Sequence, residues 1–439
     1  NTFKTYIGMT PVVIIQTPNA AEALLTSRYS HRKPFIHSFN EPWLRVDHRR
    51  AVSGGTRKTM RKLMFSAFKP ASLTRCLRIL NESGDILAHR FSEYADGTFN
   101  EPIQLFQSAQ RCTLDIIGEV TMGAKLHIQE GENLNFMSSF NSASLLVGLR
   151  ALRPWLWLQP IYDHTPEGKL FKKNMKEIES FTHLVMLKRK EKLEQNEATR
   201  ESGSKDDEVR LSKTDTTLMN LLLRAHLQDS KYTMEDVKKD IDTVFGAGSD
   251  ATLSAVTWSI YMLGLHPKTQ AKVHRELDAI FGTDTDRCVT SDDLERMKYL
   301  ECCIKETMRL YPPVPIVGRF LEHDQVIDNQ TVPKGVQCFV NVFRLHRNPK
   351  YFSDPERYLP ERFMREETTF RPPFVYIPFS GGARKCLGQA FAMIEIKLLL
   401  AKIFSKFKVE FIRPLDHPKI NIDEIISARE ELRVWIRRR

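Results

Sequence analysis

The spacing of apolar residues along the chain predicts a mostly helical protein. Apolar positions recur every three to four residues over several long stretches, which is the period of an amphipathic α-helix. These stretches are 20–29, 70–94, 105–123, 169–195, 233–265 and 291–311. The helix 233–265 is almost uncharged in its middle, so we expect it to cross the protein interior and to end before Pro267. Ser291 is the predicted N-cap of the last helix, and Pro312 stops it.

Strand patterns are fewer and shorter than helix patterns. Short apolar or alternating segments predict strands over Tyr6–Gln16, Arg319–Val326 and Gln337–Arg344. Because strands lie near both ends of a mainly helical chain, we predict a mostly α protein with small β-sheets, an α+β class, folded as one domain over 1–439. The polar segment Asn196–Thr217 has almost no large apolar residue and predicts a mobile surface loop.

Charge and cysteine content narrow the class of protein. The 439 residues include 65 basic and 54 acidic side chains, a net charge of +11, which suits an anionic membrane or an acidic partner protein. The basic residues are spread along the chain without interleaved aromatic residues, which argues against nucleic acid binding. Seven cysteines without a C-x-x-C pair argue against a disulfide framework and a zinc ribbon.

The segment PFSGGARKCLGQAFA, residues 378–392, contains the most specific motif. Phe379, Gly382, Arg384, Cys386 and Gly388 fit the pattern F-x-x-G-x-R-x-C-x-G, directly before an apolar helix. A helix N-terminus stabilises a cysteine thiolate, and the glycines let a flat ligand approach the backbone closely. The residues alone leave three roles open for this cysteine: a metal ligand, a nucleophile with a histidine base elsewhere, or a buried structural thiol.

Two further groups of polar residues accompany the motif. Glu306 and Arg309 stand three residues apart on one helix face, within ion-pair reach, and Arg362 in DPERYLPERF is a candidate third member of a buried network. Asp250 and Thr252 lie in a stretch of small residues, GAGSDAT, inside the long apolar helix. Buried polar groups are costly unless they are paired or used, so both residues are candidates for function.

In this order and spacing, these features resemble the signature of the cytochrome P450 superfamily over essentially the whole chain. The segments PWLWLQPIY, TWSIYMLGLHP, KYLECCIKETMRLYPPVP and VYIPFSGGARKCLGQ are most similar to the animal fatty-acid omega-hydroxylases of family four. The resemblance implies the cytochrome P450 fold, a single large haem-enclosing domain, with Cys386 as the thiolate ligand of haem iron.

The resemblance also assigns the residues that surround the cofactor. The implied haem-binding residues are Cys386, Phe379, Gly382, Arg384, Gly388, Arg57, Arg61 and Arg319. Arg57 replaces a tryptophan of the family pattern, and its guanidinium can still donate to a haem propionate. The alternative for Arg57 and Arg61 is a solvated basic face. Glu306, Arg309 and Arg362 match the structural triad of the family, which implies a role in folding rather than catalysis.

The long helix departs from the family-four pattern E-G-H-D-T-T, because residues 247–252 read AGSDAT. The glutamate that esterifies a haem methyl in many members is Ala247 here, so we predict non-covalent haem b. The alcohol that helps to deliver protons to dioxygen would stand at Ala251. Thr252, about 100° round the helix, replaces it if the helix is locally unwound, with Asp250 organising the relay. Thr252 bonded to its own helix, Ser249 and an ordered water are the alternatives.

We therefore predict an oxidoreductase, a haem-thiolate monooxygenase that inserts one oxygen atom of O2 into a C–H bond of a lipid-like substrate. Fatty-acid hydroxylation is the expected reaction, with electrons from NADPH through NADPH–cytochrome P450 reductase and with cytochrome b5 as an optional partner. The alternative is a haem-thiolate isomerase or dehydratase that acts on lipid hydroperoxides without external electrons. A haem sensor or carrier is a third reading, which nothing in the sequence favours.

The resemblance also implies a cellular setting and partner surfaces. A basic surface for an acidic reductase would contain Lys58, Arg61, Lys62, Arg384 and Lys385. Trp155 and Trp157 lie either at a membrane surface or in an aromatic core, and the substrate-contacting loops are expected within 133–166. No run of 18 apolar residues predicts a transmembrane helix. The start NTFKTYIGMTPVVII leads us to expect an upstream membrane anchor, which would place a monomer on the cytosolic face of the endoplasmic reticulum.

Overall fold

A computed structural model describes residues 2–7, 10–30, 32–40, 70–99, 101–200, 217–228, 232–364, 371–411, 420–422, 425–428 and 431–439. Within these ranges the α-helices are α1 Pro18–Thr26, α2 Pro70–Ala95, α3 Leu105–Met122, α4 Leu134–Ala151, α5 Gln159–His164, α6 Pro166–Arg200, α7 Leu218–Gln228, α8 Met234–Leu265, α9 Pro267–Phe281, α10 Ser291–Arg296, α11 Lys298–Leu310, α12 Val342–Leu345 and α13 Gln389–Phe404. Short 3-10 turns cover Phe35–Asn40, Pro154–Leu156, Pro360–Phe363 and Gly382–Arg384.

The strands in the same ranges are short and form four small sheets. They are β1 Phe3–Ile7, β2 Thr10–Ile15, β3 Ile103–Gln104, β4 Ile316–Phe320, β5 Gln325–Ile327, β6 Gln330–Val332, β7 Gln337–Asn341, β8 Phe407–Phe411, β9 Ile420–Ile422, β10 Ile426–Ala428 and β11 Arg433–Arg438. The sheet orders are β1-β2-β7-β4, β3-β11-β8, β5-β6 and β9-β10. The predicted class, mostly α with small β-sheets, is confirmed.

Contacts between Cα atoms divide the chain into two compact units. The first unit comprises Asn1–Pro34, Leu80–Thr113 and Asp250–Arg439. Its largest sheet is antiparallel except at its centre, where β2 and β7 run parallel with Val12 opposite Gln337. Apolar residues of β2, β7 and α1 form one buried cluster that also contains Ile377, just before the cysteine motif.

The second unit comprises Phe35–Ile79 and Leu114–Ser249. Helices α4 and α6 pack against each other in this unit. The rings of Phe136, Phe140, Phe181 and Phe245 form an aromatic cluster with centroid separations of 4.6 to 6.4 Å. The region 133–166, where we expected loops, is largely helical, because it contains α4, a 3-10 turn and α5.

The predicted helix 291–311 is two helices, α10 and α11, which is a correction. Its N-cap is Thr290 rather than Ser291, since the Thr290 side chain and Asp293 form a reciprocal capping box. The break falls at Met297, whose ψ of 68° leaves the helical region. The free amides that follow, of Tyr299 and Leu300, donate to the Glu276 carboxylate at 2.6 and 2.9 Å. A side chain from α9 therefore caps α11.

Each predicted strand is shorter than expected. The first splits into the antiparallel hairpin β1–β2, and the second splits into β4 and β5. The third ends at Asn341, whose side chain accepts from the Arg344 amide at 3.0 Å and caps α12.

Helix α6 continues to Arg200, so the first five residues of the predicted loop 196–217 are helical. The part of that prediction over 201–216 lies outside the described residues. Across the ranges that the structure describes, no helix combines the length and apolarity needed to cross a bilayer.

Candidate functional site

The cysteine motif forms a tight turn in the first unit. The Cys386 amide donates to the Phe379 carbonyl at 3.0 Å, which closes the turn over the 3-10 segment between them. Gly382 has a φ of +66°, and a Cβ there would lie 1.8 Å from the Leu25 carbonyl oxygen. A glycine is therefore required at 382, because the turn packs directly on the backbone at the end of α1.

Cys386 presents its thiol beside the N-terminus of α13. The residue as a whole is exposed, but surrounding protein atoms still desolvate its sulfur. Desolvation raises the pKa of the Cys386 thiol above its usual value, while the Gly388 amide and the Lys385 charge act in the opposite direction. The thiol thus stays protonated by itself, and a bound cation would favour the thiolate. This chemistry fits an iron ligand.

The other residues of the motif are placed as follows. Phe379 and Arg384 are half-buried, and Arg384 ends the 3-10 turn that begins at Gly382. Gly388 is the N-cap of α13, and a Cβ at this position would meet no described atom within 4 Å. The space beside Gly388 is therefore open, in contrast to the crowded backbone at Gly382.

Arg319 on β4 is a buried cation. Its side chain is 1% exposed, and Nη1 donates to the Gly318 carbonyl at 2.9 Å. Nε and Nη2 are buried and have no hydrogen-bond partner within the part of the chain that the structure describes. Burial lowers the pKa of Arg319 to about 10. Because a buried guanidinium is normally paired, these two free donors fit an anionic group such as a haem propionate.

Arg57 and Arg61 lie outside the described residues, as do Lys58 and Lys62 of the predicted basic surface. Their assigned roles stay predictions. Lys385, also predicted for that surface, is exposed.

The predicted network of Glu306, Arg309 and Arg362 is assembled. Arg309 binds the Glu306 carboxylate through Nε at 2.7 Å and Nη2 at 2.9 Å, and Arg362 Nε binds it at 3.0 Å. Glu306 and Arg309 are 0% exposed. The remaining donors of Arg309 reach the carbonyls of His346 and Pro355 at 3.1 and 2.6 Å, so the network ties α11 to the segments after α12. The network is fully hydrogen-bonded, as a buried ion pair must be to be stable.

Helix α8 is a regular α-helix through the small-residue stretch, so the local unwinding considered for 246–248 does not occur. Ala247 is exposed and Ala251, one turn later, is half-buried, whereas Thr252 is 4% exposed. The Thr252 hydroxyl forms no recorded hydrogen bond to a described residue, unlike the Thr243 hydroxyl, which donates to the carbonyl four residues back. The Thr252 alcohol is therefore not committed to its own helix.

Two other polar residues flank Thr252 on this helix. The buried Ser249 hydroxyl donates to the Gly246 carbonyl at 3.3 Å. Asp250 is half-buried and has an interaction partner of its own. Asp250 and Thr252 are two residues apart and so face different directions around the helix axis.

Sequence reasoning missed one residue beside the motif, His346. Its imidazole is 0% exposed, and Nε2 accepts a hydrogen bond from the Ile377 amide at 2.8 Å. A single histidine in LHRNP matches no motif, and its partner is 31 positions away, so the local sequence gives no signal for this contact.

Comparisons with known proteins find related sequences over almost the whole chain. The sequence profile of the family described as Cytochrome P450 matches residues 1–435. Cytochrome P450 4V2 of Mus musculus is 33% identical over 438 residues, 99% of this chain and 82% of that protein. The human protein of the same name is 32% identical over 434 residues, 99% of this chain and 81% of its own length. Cytochrome P450 4c3 of Drosophila melanogaster is 31% identical over 441 residues, with coverages of 99% and 81%.

Proposed function

The chain belongs to the cytochrome P450 family, and from that premise we propose that it hydroxylates lipid-like substrates, with fatty acids as the first class to test. As a family member it is an oxidoreductase, a monooxygenase that uses haem, dioxygen and electrons derived from NADPH through a reductase. The observation that carries the proposal is the exposed Cys386 beside the start of α13, in a turn that its own amide closes by donating to the Phe379 carbonyl. The choice of fatty acids is supported by similarity to family-four proteins.

Three parts of the chain would hold the cofactor. Cys386 would hold the iron through its sulfur, and the Arg319 donors that have no partner among the described residues would bind a propionate. The open space at Gly388 would let the flat ring approach the backbone. When bound through a thiolate, haem supplies the oxygen activation that an unactivated C–H bond requires. The task of the chain is to orient both cofactor and substrate and to move protons.

Proton delivery is the function we propose for Thr252 and Asp250, although α8 is not unwound, because the Thr252 hydroxyl is not bonded to its own helix. The Thr252 hydroxyl is buried and not bound to its own helix, so it can donate to and accept from an adjacent water molecule. Asp250, two residues earlier, is the ionisable group from which such a chain of hydrogen bonds would draw its proton. Ala251 has no polar atom and takes no part.

Haem is non-covalent in this proposal because Ala247 has no carboxylate that could form an ester with a haem methyl. We expect acidified organic solvent to extract all of the haem from the folded protein. The measurement is the haem absorbance of the protein fraction after extraction, compared with an Ala247→Glu variant. Haem that remains with the wild-type chain would contradict the prediction.

The proposed setting is the cytosolic face of the endoplasmic reticulum, with NADPH–cytochrome P450 reductase as electron donor and cytochrome b5 as a second partner. An exposed apolar surface supports membrane contact. It consists of Leu152, Trp155, Leu158 and Ile161, which are 49 to 66% exposed. The buried Arg150 side chain donates to the carbonyls of Leu156 and Trp157, which lie between Trp155 and Leu158 in the chain. Trp157, in contrast, packs on Phe35, with ring centroids 4.7 Å apart, as part of an aromatic core.

The experiment that tests the function follows labelled dioxygen into products. Haem-loaded protein is mixed with reductase, NADPH and a broad panel of fatty acids, and the products are analysed by mass spectrometry. We expect one labelled oxygen atom in a hydroxylated fatty acid, formed only when NADPH is present. A heat-inactivated reductase is the control for chemistry that does not depend on electron transfer.

Two results would contradict the proposal. Rearrangement of lipid hydroperoxides without NADPH, and no labelled hydroxyl, would establish the isomerase reading. Labelled hydroxylation of other compounds, but of no fatty acid in the panel, would keep the monooxygenase and overturn the substrate class.

A further inference from the structure

His346 lies between the buried ion network and the cysteine motif. Its backbone carbonyl accepts from Arg309 Nη1 at 3.1 Å, while its Nε2 accepts from the Ile377 amide at 2.8 Å. The residue is 0% exposed and follows directly after α12. One side of the residue thus contacts the network, and the ring contacts the segment that enters the motif.

The hydrogen bond to Ile377 fixes the state of the imidazole. Because Nε2 accepts a hydrogen bond and so carries no proton, the ring must be neutral, with its proton on Nδ1. Nδ1 is buried and has no hydrogen-bond partner among the residues in the described ranges. Burial first, and then the charges of Arg309 and Arg347, lower the pKa of His346 to about 3.

The segment after Ile377 runs directly into the turn that holds the thiol. The Ile377 carbonyl accepts from the Ser380 amide at 3.0 Å, and the next carbonyl but one, of Phe379, accepts from the Cys386 amide. Tyr376 stacks near the His346 ring, with centroids 4.9 Å apart, and its hydroxyl donates to the Lys305 carbonyl at 2.9 Å. A displaced Ile377 would therefore move the Phe379 carbonyl that closes the turn.

We propose that His346 is a positioning residue for the thiolate turn. As a neutral acceptor for the Ile377 amide, it couples the network of Glu306, Arg309 and Arg362 to the placement of Cys386. It touches neither cofactor nor substrate. The inference rests on the proposed role of Cys386 as the iron ligand.

The test uses three variants of the full haem-loaded chain. His346→Gln keeps an acceptor near the position of Nε2, because its amide group lies one bond further out than that of asparagine. His346→Asn places its amide near the position of Nδ1, out of reach of Ile377, and His346→Phe keeps the ring shape without an acceptor. Two readouts are compared: hydrogen exchange of the peptide 375–380, and the absorption spectrum of the ferrous carbon monoxide complex, which distinguishes thiolate from thiol ligation.

We expect His346→Asn and His346→Phe to speed exchange of the Ile377 amide at least about tenfold, the loss of one buried hydrogen bond of roughly 1.4 kcal/mol. Both should convert a measurable fraction of the complex from thiolate-type to thiol-type absorption. His346→Gln should restore most of both properties. If His346→Phe gives no folded protein, the comparison of the asparagine and glutamine variants decides.

A matched control separates positioning from general stability. Gln270 is equally buried, and its side chain bonds the backbone of Val409 at both ends and the Leu263 carbonyl. Gln270→Ala should lower the melting temperature while leaving the spectrum and the exchange of 375–380 unchanged. The proposal is overturned if the asparagine and phenylalanine variants match the wild type in both readouts. It is also overturned if Gln270→Ala lowers the melting temperature as much as these variants do and shifts the spectrum to the same extent.

The proposed function can be wrong independently of the proposed role of His346. A wild-type chain that lacks thiolate-type absorption would overturn the assignment of Cys386 as ligand. In that case, hydrogen exchange of the Ile377 amide alone tests whether His346 positions the turn.

Discussion

At Cys386, opposing influences act on a single sulfur atom. Desolvation raises the pKa of the thiol, and the Gly388 amide and Lys385 lower it. The sequence motif predicted a thiolate stabilised by a helix N-terminus, whereas burial works against that effect. The motif thus proposes a ligand residue, but the protonation of that residue depends on surrounding atoms that the motif does not specify.

Thr252 offers a test at the level of one hydroxyl group. We expect Thr252→Val to reduce the product formed per NADPH consumed by at least about tenfold, since positioned proton transfer contributes a factor on the order of 100 or more. NADPH consumption itself should continue. The measurement is the ratio of hydroxylated product to NADPH in the reconstituted system.

The control for this prediction is Thr257→Val, which removes a buried hydroxyl without a partner in the described ranges, further along α8. It should leave the ratio unchanged. If Thr252→Val forms as much product per NADPH as the wild type, proton delivery is assigned to Ser249 or to water.

His346 also makes stability depend on pH. In the unfolded chain its pKa is near the ordinary 6.5, and in the folded protein it is about 3. Below pH 6.5 the unfolded state therefore binds a proton that the folded state does not, and stability falls by about 1.4 kcal/mol per pH unit until about pH 3. Between pH 6.5 and 5 the contribution of this residue is a loss of roughly 2 kcal/mol.

The measurement is the free energy of unfolding by denaturant at pH 6.5 and pH 5. His346→Gln does not titrate in this range, so its stability should fall by roughly 2 kcal/mol less than that of the wild type. An equal fall in both proteins would show that His346 is already protonated in the fold or is not shielded from solvent.

The local sequence patterns predicted which helices and strands exist better than they predicted where each one begins and ends. The helix pattern over 291–311 contains no proline or glycine, so it predicted one helix. The break at Met297 depends on Glu276, which caps the amides of Tyr299 and Leu300 from another helix. Such caps come from tertiary contacts, which a local pattern does not contain.

Substitution by alanine should have very different effects on folding at two glycines of the cysteine motif. Gly382→Ala should prevent stable folding of the turn, because the added Cβ would lie 1.8 Å from the Leu25 carbonyl oxygen at a φ of +66°. Gly388→Ala meets no described atom within 4 Å, so it should cost the protein without haem only about 1 kcal/mol as an N-cap change.

Haem binding distinguishes the two substitutions, because Gly382→Ala should impair folding and Gly388→Ala should impair the proposed cofactor site. We expect Gly388→Ala to weaken haem binding by about tenfold or more, since the added methyl group enters the space proposed for the cofactor and tenfold is only 1.4 kcal/mol. Melting curves without haem and haem titrations of both variants are the measurements. Unchanged haem affinity in Gly388→Ala would place the cofactor away from this glycine.

For the whole molecule, the sequence predicted the fold class and the family, because the haem motif and the order of the other features are specific. It did not predict the two compact units, which follow from contacts between distant segments. The apolar segment PWLWLQPIY shows the same limit. Trp155 is 66% exposed and Trp157 packs in a core, although both belong to one apolar run.

The exposed apolar surface predicts membrane association of the protein as a whole. Trp155→Ser combined with Leu158→Ser should weaken binding to anionic phospholipid vesicles by about tenfold, since partial immersion of two large side chains is worth about 1 to 2 kcal/mol. Vesicle flotation measures the bound fraction.

The matched control is Val326→Ser, which removes an apolar side chain that is 61% exposed on β5. It should leave vesicle binding unchanged. Equal losses in both variants would mean that binding is not localised to residues 152–161.

The parallel pairing of β2 with β7 has a consequence for biosynthesis. Val12 pairs with Gln337, so β2 leaves the ribosome long before its central partner exists. At about 5 to 20 residues per second, the delay is roughly 15 to 65 s. During that time an apolar strand edge is open to wrong partners. The nascent chain should therefore depend on chaperones, and haem should enter only after its proposed ligand Cys386 has been synthesised, later still than β7.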